Sequence, residues 1–349
     1  MSLKPPSLKI GVAAGVGAGG AEFVSEAEKL GADSAWSVEA WGYDALTPLA
    51  FLAARTTRIR LGTAIVQIGS RSPALLGMSA LSMQALSGGR FILGLGTSGP
   101  QVMEGWHGVR FERPLARTRE TIDIFRRVVA GERVAHDGEL YRLPLPDGPG
   151  RSIRVSAPPA PVPVFIASLG PANLHLTGEV ADGWIGTSFM PESASVFLDP
   201  IREGAEAAGR SLSDIELTAP AAVEFTDDVE GAAARHARGY AFTFGAMGSP
   251  SQNFYKDAFS RQGFQEEAAE VQRLWLAGDR EAAARAVPTE IGRRTNLLGT
   301  PAMVKERLAL YRHAGITTLR VNPAGEGMAG RLDTLGLLME LVGEVNAGA

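Results

Sequence analysis

Short apolar or β-branched runs alternate with amphipathic ones along almost the whole chain, and this pattern constrains the fold more than any other feature. "LKIGVAA" (8–14) precedes "AEFVSEAEKLG", in which Phe23, Ala27 and Leu30 share one helical face. "SAWSVE" (34–39) precedes "TPLAFLAAR", and "RIRLGTAIV" (58–66) precedes Ser72-Pro73. Those two residues read as an N-cap and a first-turn proline, opening a helix to Leu86. "RFILGLG" (90–96) precedes a helix near 115–130 with Leu115, Ile122, Phe125 and Val129 on one face. "VPVFIAS" (162–168) leads to Gly170-Pro171 and a helix, and "GWIGT" (183–187) to a helix near 192–208. "IELTAPAAVEF" (215–225) reads as a seventh strand. Gly299-Thr300-Pro301 opens a helix ending at Gly315, "ITTLRV" (316–321) is an eighth strand, and a last helix aligns Leu332, Leu335, Met339 and Val342.

Eight strands, each followed by a helix, predict an α/β fold of the (β/α)8 TIM-barrel type. The apolar runs lack period-two alternation, as parallel strands buried on both faces do. A single domain over 1–349 is expected, with insertions at about 131–161 and 226–298. The first carries a hairpin signal at Asp137-Gly138. The second holds extra helices and the patch "FTFGAMGSPSQNFY" (242–255), and insertions of this length often act as lids.

Composition removes several classes of function. The net charge of −4 gives no basic field for nucleic acid or an anionic membrane. There is no cysteine, so thiol catalysis and thiolate metal sites are excluded. His107, His136, His175, His236 and His313 form no short ligand pair, and no metal is expected. No apolar run reaches the ~18 residues of a membrane span. The N-terminal "MSLKPPSLKIGVAAGVGAGG" is glycine-rich and lacks the leucine core of a signal peptide, so the expected location is cytoplasmic.

Gly15, Gly17 and Gly20 spell GxGxxG after a strand, with Glu39 about twenty residues on, which is the dinucleotide-binding spacing. A barrel uses such glycines equally well in its first βα loop. It also accounts for the later glycine-rich strand ends at 96–99, 170 and 186, because strand C-termini build a barrel's active site. The residues after the strands are Gly15, Glu39 with Trp41 and Tyr43, Gln67, Thr97 and Ser98, Ser168 to Gly170, Thr187 and Asn322. Ser98 lies in no GxSxG, and no close carboxylate pair stands out. Glycines, hydroxyls and aromatics with few ionisable groups suit a cofactor that carries the chemistry itself.

At this point "LGLGTSGPQVMEGWHG" (93–108) becomes specific. With "EAWGYDALTPLAFLAA" (39–54), "IRLGTAIVQIGSRSP" (59–73), "PVFIASLGPANLHLTGEVADGWIGT" (163–187) and "LGTPAMVKERLALYRHAGITTLRV" (298–321), it resembles the bacterial luciferase-like superfamily of flavin and deazaflavin oxidoreductases. Within it, the stretch looks like the coenzyme F-420-dependent, methylenetetrahydromethanopterin reductase-like branch. The resemblance implies a flat tricycle at the barrel's C-terminal mouth, its phosphate-bearing tail near Ser168, Leu169, Gly170 and Pro171, with Gly186 and Thr187 closing the same pocket. A glycine followed by an N1 proline opens a helix whose amides and dipole favour an anion. Thr97, Ser98 and Gly99 would edge the tricycle, small because a ring must approach their backbone.

The resemblance further implies a non-proline cis bond between Ala64 and Ile65 with Gln67 just beyond, a cofactor-bonding carboxylate at Glu39, and Trp41 and Trp106 facing the substrate. It also has limits. Sugar-phosphate dehydrogenases of the family place a catalytic histidine where this chain has Ala40, and a carboxylate near Gly99, where this chain has none. Hydride delivery to an activated acceptor (an enone, imine or carbonyl) needs less acid–base help, and Tyr43, His107 or water would supply the proton. The expectation is therefore an F-420-dependent oxidoreductase acting on a small organic molecule. The rivals are an FMN-dependent two-component monooxygenase on the same barrel and a non-catalytic deazaflavin-binding protein. The helices at 47–56 and 73–86 are apolar on more than one face, and relatives dimerise through this region, so a homodimer is expected.

Overall fold

The first strand pairs with the last, and that pairing closes the sheet on itself. In the computed structural model, which describes residues 6–248 and 253–348, eight parallel strands form a ring. They are β1 (Lys9–Ala13), β2 (Ser34–Ser37), β3 (Arg60–Thr63), β4 (Phe91–Gly96), β5 (Val164–Ala167), β6 (Gly183–Ile185), β7 (Glu216–Phe225) and β8 (Thr318–Pro323). β8 pairs with β1 from Lys9↔Thr318 to Val12↔Val321, and β6 pairs with β7 from Gly183↔Glu216 to Ile185↔Thr218. The outer helices are α1 (Ala18–Lys29), α2 (Leu46–Ala53), α3 (Pro73–Ser87), α4 (Pro114–Val129), α5 (Pro171–Val180), α6 (Ser195–Ala207), α7 (Pro301–His313) and α8 (Gly327–Ala347). This is the expected TIM barrel. The GxGxxG tract is its first βα loop, with Gly17 capping α1 at φ 86°.

One feature of the strands is the break that the resemblance implied, and a second was not expected. The run 58–66 is broken after Thr63, where the Ala64–Ile65 peptide is cis, and Val66–Gln67 then pairs with Leu95 and Gly96 of β4. At the other side, three-residue β6 covers only the start of ten-residue β7. Leu297–Gly299 pairs with Val223–Phe225 and covers the remaining edge, which would otherwise present unpaired backbone groups.

The barrel interior is filled from below. Trp36, Ile92, Phe165 and Ile185 meet inside it, with the Trp36 and Phe165 rings 5.8 Å apart. Glycines make room for these rings. A Cβ on Gly62 would lie 2.4 Å from the Trp36 ring, and one on Gly183 2.6 Å from the Phe165 ring. Beneath them, Arg60 binds Asp33 through Nε (2.9 Å) and Nη2 (2.5 Å), and Glu216 through Nη1 (2.9 Å) and Nη2 (2.7 Å). The Thr318 hydroxyl also donates to Glu216, at 2.8 Å. Burial alone would raise the Glu216 pKa. Arg60's hydrogen bonds and charge outweigh burial and hold the carboxyl below its ordinary value.

Residues 131–161 include the short antiparallel pair His136–Asp137 with Arg142–Leu143, at the expected hairpin. Residues 226–298 carry helices at Val229–Arg238, Tyr240–Ala246, Phe254–Phe259, Gln265–Leu276, Arg280–Ala286 and Thr289–Arg294. They enclose a small core of their own, with Phe244, Phe259, Val271 and Ile291, which meets the barrel at Met190. Of the patch at 242–255, residues 249–252 lie outside the described residues. Asn253 ties its flanks, donating to the Phe244 carbonyl while capping the helix at Phe254. No helix among the described residues is long and apolar enough to cross a membrane.

The charged layer makes a testable statement about stability. Arg60→Met strands a mostly buried Glu216 and is expected to cost about 3 kcal/mol at neutral pH. Because the folded Glu216 pKa is depressed, the wild-type advantage exists above the ordinary carboxylate value and is lost as pH falls through the folded one. Urea unfolding at about pH 7 and pH 3 should show the deficit shrinking in acid. A deficit of the same size at both would assign the effect to lost packing instead.

Candidate active site

Above the rings of Trp36 and Phe165, the strand ends open into a cup. Ala13, Ala64, Ala167 and Ala222 face it, and each is at least partly exposed. The β3–β4 wall is shaped by close backbone approach. A Cβ on Gly96 would lie 2.9 Å from Ile65 Cγ1, so the glycine lets the Ile65 side chain pack against β4. Ser98 (φ 57°) and Ser188 (φ 56°) hold left-handed backbone in the loops after β4 and β6. Such strain in non-glycine residues persists where surroundings enforce it, and it concentrates at functional sites.

A polar network links the loops after β2, β3 and β4. Both Glu39 carboxylate oxygens accept from Arg71, at 2.8 Å each, and Oε2 also accepts the Ala45 amide at 3.1 Å. Burial pushes the Glu39 pKa up, but Arg71's bonds and charge and the Ala45 amide outweigh it, and the carboxyl stays below its ordinary value. Gln67 Nε2 donates to the carbonyls of Ala40 (3.0 Å) and Glu39 (3.4 Å). Its Oε1 then accepts, so His107 Nε2, 2.5 Å away, carries the proton of that bond. No hydrogen bond reaches His107 Nδ1 among the described residues.

The β5–β6 wall is built differently. Gly170 caps α5 in extended backbone with no side-chain cap, and nothing lies within 4 Å of a Cβ built on it. The α5 start therefore adjoins open space, and the Ala172 amide has no hydrogen bond among the described residues, a setting that favours an anion. The Ser168 hydroxyl is bonded to Thr177 (2.8 Å), and its carbonyl accepts from Trp184 Nε1, so Ser168 secures the turn from inside. Insertion residues reach this wall. Arg261 Nη2 donates to the Leu169 carbonyl at 2.5 Å, and Gln262 Nε2 to the Ser188 carbonyl at 2.7 Å. Arg261 follows a helix whose continuation carries a kink at Gly263 (φ 98°). From the β4 side, Gln101 donates to the Gly248 carbonyl of the insertion.

On β8, Thr318 and Arg320 point into the barrel, while Leu319 and Val321 join the helix-facing core. Arg320 Nη2 donates to the Gly186 carbonyl, at the top of β6. Its Nε is buried with no partner, and no carboxylate lies within ion-pair distance among the described residues. Burial pushes its pKa down to about 10.

The structure thus gathers Glu39, Ala64, Ile65, Gln67, Thr97, Ser98, Gly99, Leu169, Gly170, Pro171, Gly186 and Thr187 around one mouth, at the strand ends and the loops that follow them. Trp41 (58% exposed), Tyr43 (70%) and Trp106 (66%) stand at its rim without packed ring partners among the described residues. Sequence reasoning missed Arg71, Arg261 and Arg320. Arg320 left a signal, a charge inside the apolar run "ITTLRV". Arg261 left none, because only the insertion's path brings it to Leu169. A shallow cup of small residues beside an uncapped helix start and an arginine fits a flat cofactor with an anionic tail.

A protein of Mycobacterium tuberculosis named as a coenzyme F-420-dependent oxidoreductase is 40% identical over 310 residues, covering 86% of this chain and 89% of its own length. The coenzyme F-420-dependent tetrahydromethanopterin reductase of Methanopyrus kandleri superposes with a TM-score of 0.77 at 22% identity, over 97% of this chain and 98% of that one. The oxygenating component of 3,6-diketocamphane monooxygenase from Pseudomonas putida, solved with FMN, gives 0.66 at 18% identity, over 97% and 98%. The family described as luciferase-like monooxygenase matches residues 10–318, and the chain belongs to it.

Proposed function

We propose that the chain is a coenzyme F-420-dependent oxidoreductase. The bound deazaflavin would exchange a hydride at its C5 with a small organic substrate. The observation that carries this reading is the pairing of a cup poor in ionisable side chains with an uncapped α5 start that Arg261 adjoins. The 40% identical relative, named for coenzyme F-420, favours the deazaflavin over FMN.

In this reading Gly170 and Pro171 present the α5 amides to the phosphate, and Arg261 adds a cation beside Leu169. Thr97, Ser98 and Gly99 border the tricycle beside Ala64 and Ile65. Glu39, neutralised by Arg71, fixes the loop that carries Trp41 and Tyr43 over the mouth. His107 is held through Nε2 by Gln67, so it accepts or donates a proton at Nδ1. With Ala40 where a sugar dehydrogenase has histidine, an activated acceptor such as an enone, imine or carbonyl is the substrate class that fits.

Paired fluorescence titrations test the cofactor. F-420 should bind at least tenfold more tightly than FMN, about 1.4 kcal/mol. Gly170→Asp, which has room for its side chain, should cut F-420 affinity at least tenfold without moving the melting temperature. Tighter FMN binding together with oxygen consumption would move the protein to the monooxygenase side of its family.

Assembly is a second part of the proposal. Phe51 of α2 and Leu75, Met78 and Leu86 of α3 are 43–61% exposed on neighbouring helices. They form an apolar face suited to a second copy of the chain. Sedimentation at micromolar concentration should give a dimer, and Met78→Glu with Leu86→Glu should give a folded monomer.

A further inference from the structure

Arg320 is the one side chain of the cup whose chemistry the preceding reading leaves unused. A guanidinium has five N–H donors and stays charged, and burying it without a counter-charge costs several kcal/mol. Elsewhere in the barrel Arg60 has two carboxylates and Arg71 has one, while Arg90, which has none, is bonded to the carbonyls of Ala53, Thr56, Ile59 and Ser87. Arg320 has a single backbone acceptor, the Gly186 carbonyl. Among the described residues its Nε is sealed and unpaired, and Nη1 has no hydrogen bond. One level below, the inward residue of β7, Thr218, is fully buried with its hydroxyl also unpaired among the described residues. Beside Arg320 in the sheet register stand Gly11 and Pro220, and one level higher Ala13, Ala222 and the exposed Asn322, so no acidic neighbour on these strands screens the cation from the cup.

We infer that Arg320 is the counter-charge for a delocalised oxygen anion seated in the cup against Gly186. Two ligands can present that chemistry. One is the dione edge of the cofactor ring, which gains electron density on reduction. The other is a carboxylate or enolate oxygen of the substrate. The inference rests on the proposed reading of this mouth as a cofactor and substrate site. It goes beyond that reading by assigning an electrostatic role to a strand residue outside the expected binding loops. A cation at this edge would also make the reduced ring easier to form.

The test uses Arg320→Gln and Arg320→Lys in the full chain, with wild-type F-420 binding measured first. Failure of the wild type to bind F-420 would overturn the cofactor reading and leave the anion arm to judge Arg320. If the cofactor is the ligand, Arg320→Gln should weaken reduced F-420 at least tenfold and oxidised F-420 less, with partial recovery in Arg320→Lys. If the substrate is the ligand, F-420 affinity should stay unchanged. Acetate, but not acetamide, should then raise the wild-type melting temperature at fixed ionic strength and lose that effect in Arg320→Gln. Arg320→Met adds a separate readout without ligand. Removing an unpaired buried charge should leave the ligand-free melting temperature equal or higher. Unchanged F-420 and acetate responses in Arg320→Gln, or a lower ligand-free melting temperature in Arg320→Met, would overturn the inference and make Arg320 a structural tie between β8 and β6.

Discussion

Everything in this molecule depends on how the closed barrel is filled. A ring of eight parallel strands has an inner face that must be packed, and this chain packs only its lower part. The Trp36 and Phe165 rings occupy the middle, admitted by Gly62 and Gly183, and Arg60 with Asp33 and Glu216 closes the bottom. Above the rings the inward residues shrink to alanine and glycine. The cup is therefore a consequence of packing, and it sits at the C-terminal end because the large side chains are spent below it.

Different parts of the chain then finish the cup in different ways. The β3–β4 wall is backbone brought close, with Gly96 under Ile65 and Ser98 held in left-handed geometry. The β5–β6 wall is an exposed helix start, Gly170 and α5. The insertion after β7 does more than cover the top, because Arg261 and Gln262 bond the carbonyls of Leu169 and Ser188. Those two bonds fix the loops after β5 and β6 in place. The insertion is consequently part of the site's construction, and its own small core around Phe244 and Phe259 is what holds Arg261 there.

Much of this was legible in the sequence, for physical reasons. Strands buried on both faces are written as apolar runs, and helices against them as one apolar stripe, so the barrel could be read. Gly170-Pro171 announced an uncapped helix start because only local backbone geometry is involved. The cis peptide at Ala64–Ile65 came from resemblance, since nothing in those two residue types requires it. Side-chain pairings across the barrel were not legible. Glu39 reads as a cofactor ligand or an ion-pair partner, and nothing local points to Arg71, thirty-two residues on, which bonds both its oxygens. The strand Leu297–Gly299 was hidden because it exists only to cover the edge that short β6 leaves on β7.

Charge shows most clearly why composition alone misleads about the site. The protein carries a net −4, which by itself disfavours anionic ligands. Yet two carboxylates at strand ends are paired, Glu39 with Arg71 and Glu224 with Arg235 and His236. The arginines at the cup, Arg261 and Arg320, have no carboxylate within ion-pair distance among the described residues, and the amides of α5 add their partial charge. The local field is therefore positive at two places, the α5 start and the floor beneath Gly186. In a low-dielectric cup such fixed charges act far more strongly than the screened surface charges that make up the net value. A ligand with an anionic tail and an electron-rich planar head meets both places, and one lacking either would leave a cation unanswered.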